Sequence, residues 1–146
     1  MIDQQVAALV AREAIRDLPS SYCDCVWRND VDGVVELFTQ DGSFTSVING
    51  RETAIVGRPA LREFYVAGLV IKPRPYIHNH VVKLRNDTSA TGRCYVDLRS
   101  GSNNMEWLGA GYYEDDYVAN SDGWKFQARR FIVLRMNQLP PVLQEG

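Results

Sequence analysis

Residues 11–45 read AREAIRDLPSSYCDCVWRNDVDGVVELFTQDGSFT, and this stretch decides the fold. Ile15, Leu18, Tyr22, Cys25 and Val26 recur at helical spacing and make one broad apolar stripe. Asn29-Asp30 interrupts that helix, and Asp30 is placed to cap a shorter second one carrying Val34, Val35, Leu37 and Phe38. Asp41-Gly42 closes the second helix, and residues 43–47 read as the first strand. Two amphipathic helices running into a sheet make half of a cone.

Outward from this stretch, residues 2–28 are expected to be helical. Pro19 sits inside the periodic run, where it removes a backbone donor and opposes the carbonyl of Ile15, so a kink or a fresh helix start is expected there. Asn49-Gly50 between residues 43–47 and 53–56 signals a tight hairpin. Gly57-Arg58-Pro59 opens a third helix with Leu61, Phe64, Tyr65 and Leu69 on its apolar stripe. Residues 78–84, 90–99, 105–118 and 124–136 then read as strands, with Gly109 and Gly111 suited to a bulge. The expected fold is α+β: three N-terminal helices packed on a strongly curved antiparallel sheet that encloses a pocket. Residues 1–136 make one domain and residues 137–146 a C-terminal tail.

The 16 basic and 18 acidic residues give a formal charge of −2 with no basic block, which argues against nucleic acid or an anionic membrane as partner. The N-terminus has no charged segment followed by an apolar run, and a cytoplasmic location is expected. Cys23, Cys25 and Cys94 do not match a zinc spacing and read as reduced, packed thiols, so no metal is expected. No phosphate loop, nucleotide fingerprint or nucleophile elbow is present, and no cofactor is expected.

The opening pattern, with A-R-E-A-I-R-D-L, Tyr22, N-D-V-D-G-V-V-E-L-F and D-G-S-F, resembles SnoaL-like proteins of the nuclear-transport-factor-2-like superfamily. Residues 111–115 (GYYED) and 122–126 (DGWKF), running on to Arg129-Arg130, resemble the group's closing signature. The superfamily includes scytalone dehydratase, ketosteroid isomerase and polyketide cyclases. In its dehydratases a helix Tyr is followed five residues later by an Asp, and a His opens the first long strand. The His is the base, the Asp orients it, and the Tyr polarises a carbonyl or leaving group. The resemblance puts Tyr22 at the first position, Trp27 at the Asp position and, aligned on Asn79, Pro75 at the His position. Ketosteroid isomerase's Asp base falls on Ser46.

The residues themselves offer substitutes. His78 and His80 are the only histidines, two apart on a strand and so expected on one face with Val82 and Leu84, looking into the cone. Arg129 and Arg130 must face opposite sides, one to hold an anionic group and the other to pair at the surface. The expected catalytic set is Tyr22, His78, His80 and Arg129, with Trp27, Asn79, Trp107 and Tyr113 around the substrate. The expected activity is a cofactor-independent lyase or isomerase, dehydratase- or cyclase-like, acting by acid–base chemistry on a hydrophobic aromatic, polyketide or steroid-like molecule. The alternatives are a non-catalytic protein binding a small aromatic ligand, and a structural subunit of the kind found in ring-hydroxylating dioxygenases. The open sheet face is expected to be covered by a second copy, giving a homodimer.

Overall fold

The structure, a computed structural model, describes residues 1–137, so the tail expected over 137–146 lies, from residue 138 on, outside the described residues. Helix α1 (Ile2–Trp27) buries Ile15, Leu18, Tyr22, Cys25 and Val26 along the stripe read from the sequence. It continues through Pro19, whose ring is itself buried, with no second start. Asp30 caps α2 (Val31–Glu36), its Oδ1 accepting from the Gly33 N–H at 2.9 Å. Strand β1 (Phe38–Ile48) begins five residues before the sequence suggests. Phe38 already pairs with Phe126, and an irregularity absorbs Asp41-Gly42 before pairing resumes at Ser43.

Asn49 and Gly50 both take positive φ (52° and 80°), which a two-residue hairpin of matching twist requires, and lead into β2 (Arg51–Val56). Helix α3 (Arg58–Gly68) follows, then a short 3₁₀ turn (Leu69–Ile71). Strands β3 (Pro73–Leu84), β4 (Ser89–Ser100), β5 (Glu106–Asn120) and β6 (Gly123–Met136) complete one sheet of order β2-β1-β6-β5-β4-β3. The sheet is not wholly antiparallel as expected: β1 and β6 run parallel, because the helices and the β1–β2 hairpin precede the four-strand meander that returns beside β1. The helices cover one face of this curved, unclosed sheet, an α+β fold. Phe38, Phe44, Phe126 and Phe131 from the sheet meet Ile15, Tyr22, Leu61 and Tyr65 from the helices in one core. Among the described residues no helix is long and apolar enough to cross a membrane.

Strand β3 holds the irregularity that matters most for the site. His78 pairs with Tyr95 and Val81 with Arg93, so Asn79 and His80 together oppose the single residue Cys94. Asn79 supplies the left-handed backbone (φ 52°) that a bulge of this kind uses. One extra residue inverts the alternation. His78 therefore points outward with Tyr95, whereas His80 points inward with Val82 and Leu84. The expected common face for the two histidines is not kept.

Candidate functional site

Between α1, α3 and the concave face of the sheet lies a cavity of ≈ 80 Å³ with an almost wholly apolar wall. Tyr22 from α1, Tyr65 from α3, and Phe44, Pro75, Tyr113 and Phe131 from the sheet define it. Its volume is well under the roughly 300–1,000 Å³ of most small-molecule sites, so without rearrangement it suits a ligand of about one ring. The Tyr22 and Tyr65 hydroxyls lie 2.8 Å apart and form its principal hydrogen-bonding feature. Burial pushes the Tyr22 hydroxyl up to about 12, with Arg129 acting against the rise, so the phenol is a neutral donor at physiological pH. Among the described residues that line the cavity, none is a His, Asp or Glu.

Beneath the Tyr22 and Tyr113 rings lies a buried charge network. Arg129 is fully buried, its Cζ 3.5 Å from the Tyr113 ring centroid, 4.2 Å from that of Tyr22 and 4.7 Å from that of Phe126. Its Nε is 3.1 Å from Asp115 Oδ1, an ion pair out of hydrogen-bond alignment. Its Nη2 approaches Cys94 Sγ at 3.6 Å. The other oxygen of Asp115 accepts from the Tyr117 hydroxyl at 2.9 Å, and His80 Nε2 is 3.0 Å from that same hydroxyl. The phenol has one proton; with that given to Asp115, its lone pair accepts from His80, which fixes the N–H at Nε2. Burial, with Arg16 and Arg129 adding to it, lowers His80 to about 4, so the ring is neutral at pH 7. Burial raises the Asp115 carboxyl to about 6 despite the counter-pull of Arg129 and the Tyr117 hydroxyl. Burial also works against the Arg129 charge, but Asp115 overrides it and holds the guanidinium well above its ordinary value.

The structure therefore redistributes the residues singled out from the sequence. Tyr22 and Tyr113 line the cavity. Arg129 supports their ring faces from behind and neutralises Asp115 rather than lining the cavity. His80 faces a phenol, but that phenol is Tyr117, not Tyr22. His78 lies on the outer face with its Nε2 3.3 Å from Asp97 Oδ2. Asn79 is exposed on the bulge. Trp107 is also outside the cavity wall, its Nε1 3.5 Å from Asp97. Arg130 pairs with Glu52 at 2.5 Å on the outer face, as the alternation at 129–130 implies. Trp27 lies beside the cavity, stacked edge-on to Tyr76, and its Nε1 donates to the Pro75 carbonyl at 2.8 Å. The two positions at which the resemblance expects an Asp–His dyad are thus joined to each other by an indole–carbonyl bond.

Sequence reasoning missed Tyr65 as the partner of Tyr22, although Tyr65 lies on the α3 stripe. Strand alternation puts Tyr113, Asp115 and Tyr117 on one face of β5, but nothing local to those residues indicates which of them meets an imidazole. Among the described residues no group of three His, Cys, Asp or Glu side chains is arranged to hold a metal ion.

Comparison with known proteins agrees with this architecture. No curated protein matches the chain significantly. Among solved structures, a protein of unknown function from Mycobacterium tuberculosis is 28% identical, with 95% of this chain and 79% of that one covered and a TM-score of 0.77. A candidate aromatic ring hydroxylase from Novosphingobium aromaticivorans is 25% identical, covering 87% and 91% with a TM-score of 0.76. A candidate scytalone dehydratase from the same organism shares the fold at 20% identity, covering 95% and 92% with a TM-score of 0.76. The model of the SnoaL-like domain matches residues 7–130, and the chain therefore belongs to the SnoaL-like family.

Proposed function

We propose that this chain is a small-ligand-binding SnoaL-like protein whose cavity takes a compact, hydrophobic, aromatic molecule carrying a phenol or carbonyl oxygen. The observation that carries the reading is the Trp27–Pro75 bond at 2.8 Å, at the two positions where the resemblance to the group's dehydratases expects an Asp and a His. An indole and a proline ring neither accept nor release a proton near neutral pH. What remains is an aromatic wall with the paired hydroxyls of Tyr22 and Tyr65 to receive one ligand oxygen. The likeness to a candidate aromatic ring hydroxylase supports an aromatic ligand.

A second reading is a cofactor-free lyase or isomerase. It is favoured by the same tyrosine pair, since a buried phenol donating into a dry pocket stabilises a developing oxyanion. In that reading a substrate group or water supplies the base.

Thermal unfolding in the presence of p-cresol and related single-ring phenols, with the phenol recovered afterwards and analysed, tests the first reading. It expects a rise in melting temperature and chemically unchanged ligand. A substrate consumed at a rate that falls in Tyr22→Phe would replace it with the second reading. The proposal includes a homodimer formed through the outer sheet face, where Val81 and Tyr95 are 64% and 39% exposed. Sedimentation velocity checks that part.

A further inference from the structure

The inner face of β1 carries a hydroxyl with no partner among the described residues. Ser46 is 1% exposed, and its Oγ makes no hydrogen bond to any of them. In the parallel ladder Ser46 pairs with Phe131, and along its own strand it alternates on one face with Phe44. Paired residues in a ladder present their side chains to the same side of the sheet. Phe44 and Phe131 both line the cavity, so Ser46 shares the inner sheet face with two lining residues while its own side chain stays outside the lining. The opposite face at this point is occupied by charge: Thr45 pairs with Arg130, which binds Glu52.

A buried hydroxyl left unpaired costs about 1–3 kcal/mol relative to one that is bonded, and an alanine would avoid the cost. We infer that Ser46 is the second hydrogen-bonding point of the ligand site, engaged when a ligand widens the cavity along the β1–β6 ladder beside Phe44 and Phe131. This deepens the binding reading above and rests on it. The ligand class narrows to a single aromatic ring with two oxygen substituents, one held by Tyr22 and Tyr65, the other by Ser46. A site with a fixed polar group in an apolar wall discriminates strongly against the analogue that lacks the matching oxygen.

The experiment compares size-matched pairs that differ in one hydroxyl: each of the three cresols against the dihydroxybenzene of the same substitution pattern. Dissociation constants are measured by titration calorimetry for the wild type, Ser46→Ala and Ser46→Val. In the wild type one dihydroxybenzene isomer is expected to bind more tightly than its cresol twin, by roughly three- to tenfold. Ser46→Ala is expected to erase that preference while keeping cresol affinity, and to melt no lower than the wild type when ligand-free. If cresols bind and all three ratios are the same in wild type and Ser46→Ala, the Ser46 assignment is overturned and the cavity reading survives. If no cresol or dihydroxybenzene binds the wild type, both are overturned.

Discussion

The indole N–H of Trp27 donates to the backbone carbonyl of Pro75 at 2.8 Å, tying the end of α1 to the start of β3 beside the cavity. The bond is part-buried, and Arg74 lies over the same indole at 5.7 Å. Trp27→Phe keeps a ring against Tyr76 but removes the donor. The loss expected is about 1–3 kcal/mol of unfolding free energy, read by urea denaturation. A variant as stable as the wild type would show that the bond does not hold the helix to the sheet.

Arg129 and Asp115 are both fully buried and 3.1 Å apart. Removing one charge leaves the other uncompensated, so Arg129→Met is expected to lose about 3–5 kcal/mol. Adding Asp115→Leu should recover much of that loss, because the orphaned carboxylate goes too. A double variant that is no more stable than the single one would contradict this account of the pair.

The pH dependence separates the two ends of the network. His80 is lowered from 6.5 to about 4, so across that window the unfolded chain binds the extra proton and His80's contribution to stability rises with pH. Asp115 is raised from 3.8 to about 6, so its contribution falls as pH rises over nearly the same range. The wild-type profile is expected to be flattened by this opposition. His80→Gln removes one arm only. The stability difference between wild type and His80→Gln, measured by urea unfolding, should grow from pH 4 to 6.5 and then level; a difference independent of pH would be the contrary result.

The three thiols are buried and free. Burial pushes Cys23 up to about 12 and Cys94 up to about 11, with Arg129 partly offsetting both. Native protein at pH 8 is therefore expected to react slowly with a thiol-specific disulfide reagent and rapidly once unfolded in urea. Prompt labelling of Cys23 and Cys94 in the native state would oppose this packing.

Much of the fold was legible because its signals are local. Asp30 caps α2, and Asn49-Gly50 turns the hairpin, from side-chain and backbone chemistry within a few residues. The parallel β1–β6 ladder was not legible, since it joins residues far apart in sequence. The bulge at Asn79–His80 was also hidden: an asparagine in the middle of an alternating strand gives no unique sign that it will take positive φ. That one residue decides that His78 leaves the interior while His80 enters it. Ser46 was visible only as an aligned position, and its missing partner is a property of the packed wall.

The most direct test is the affinity of p-cresol for the wild type and Tyr22→Phe, with toluene as the control that lacks the hydroxyl. The account predicts that Tyr22→Phe weakens p-cresol by roughly three- to tenfold and leaves toluene unchanged. Equal affinities of p-cresol for the two proteins would contradict the claim that the Tyr22 hydroxyl receives the ligand's oxygen.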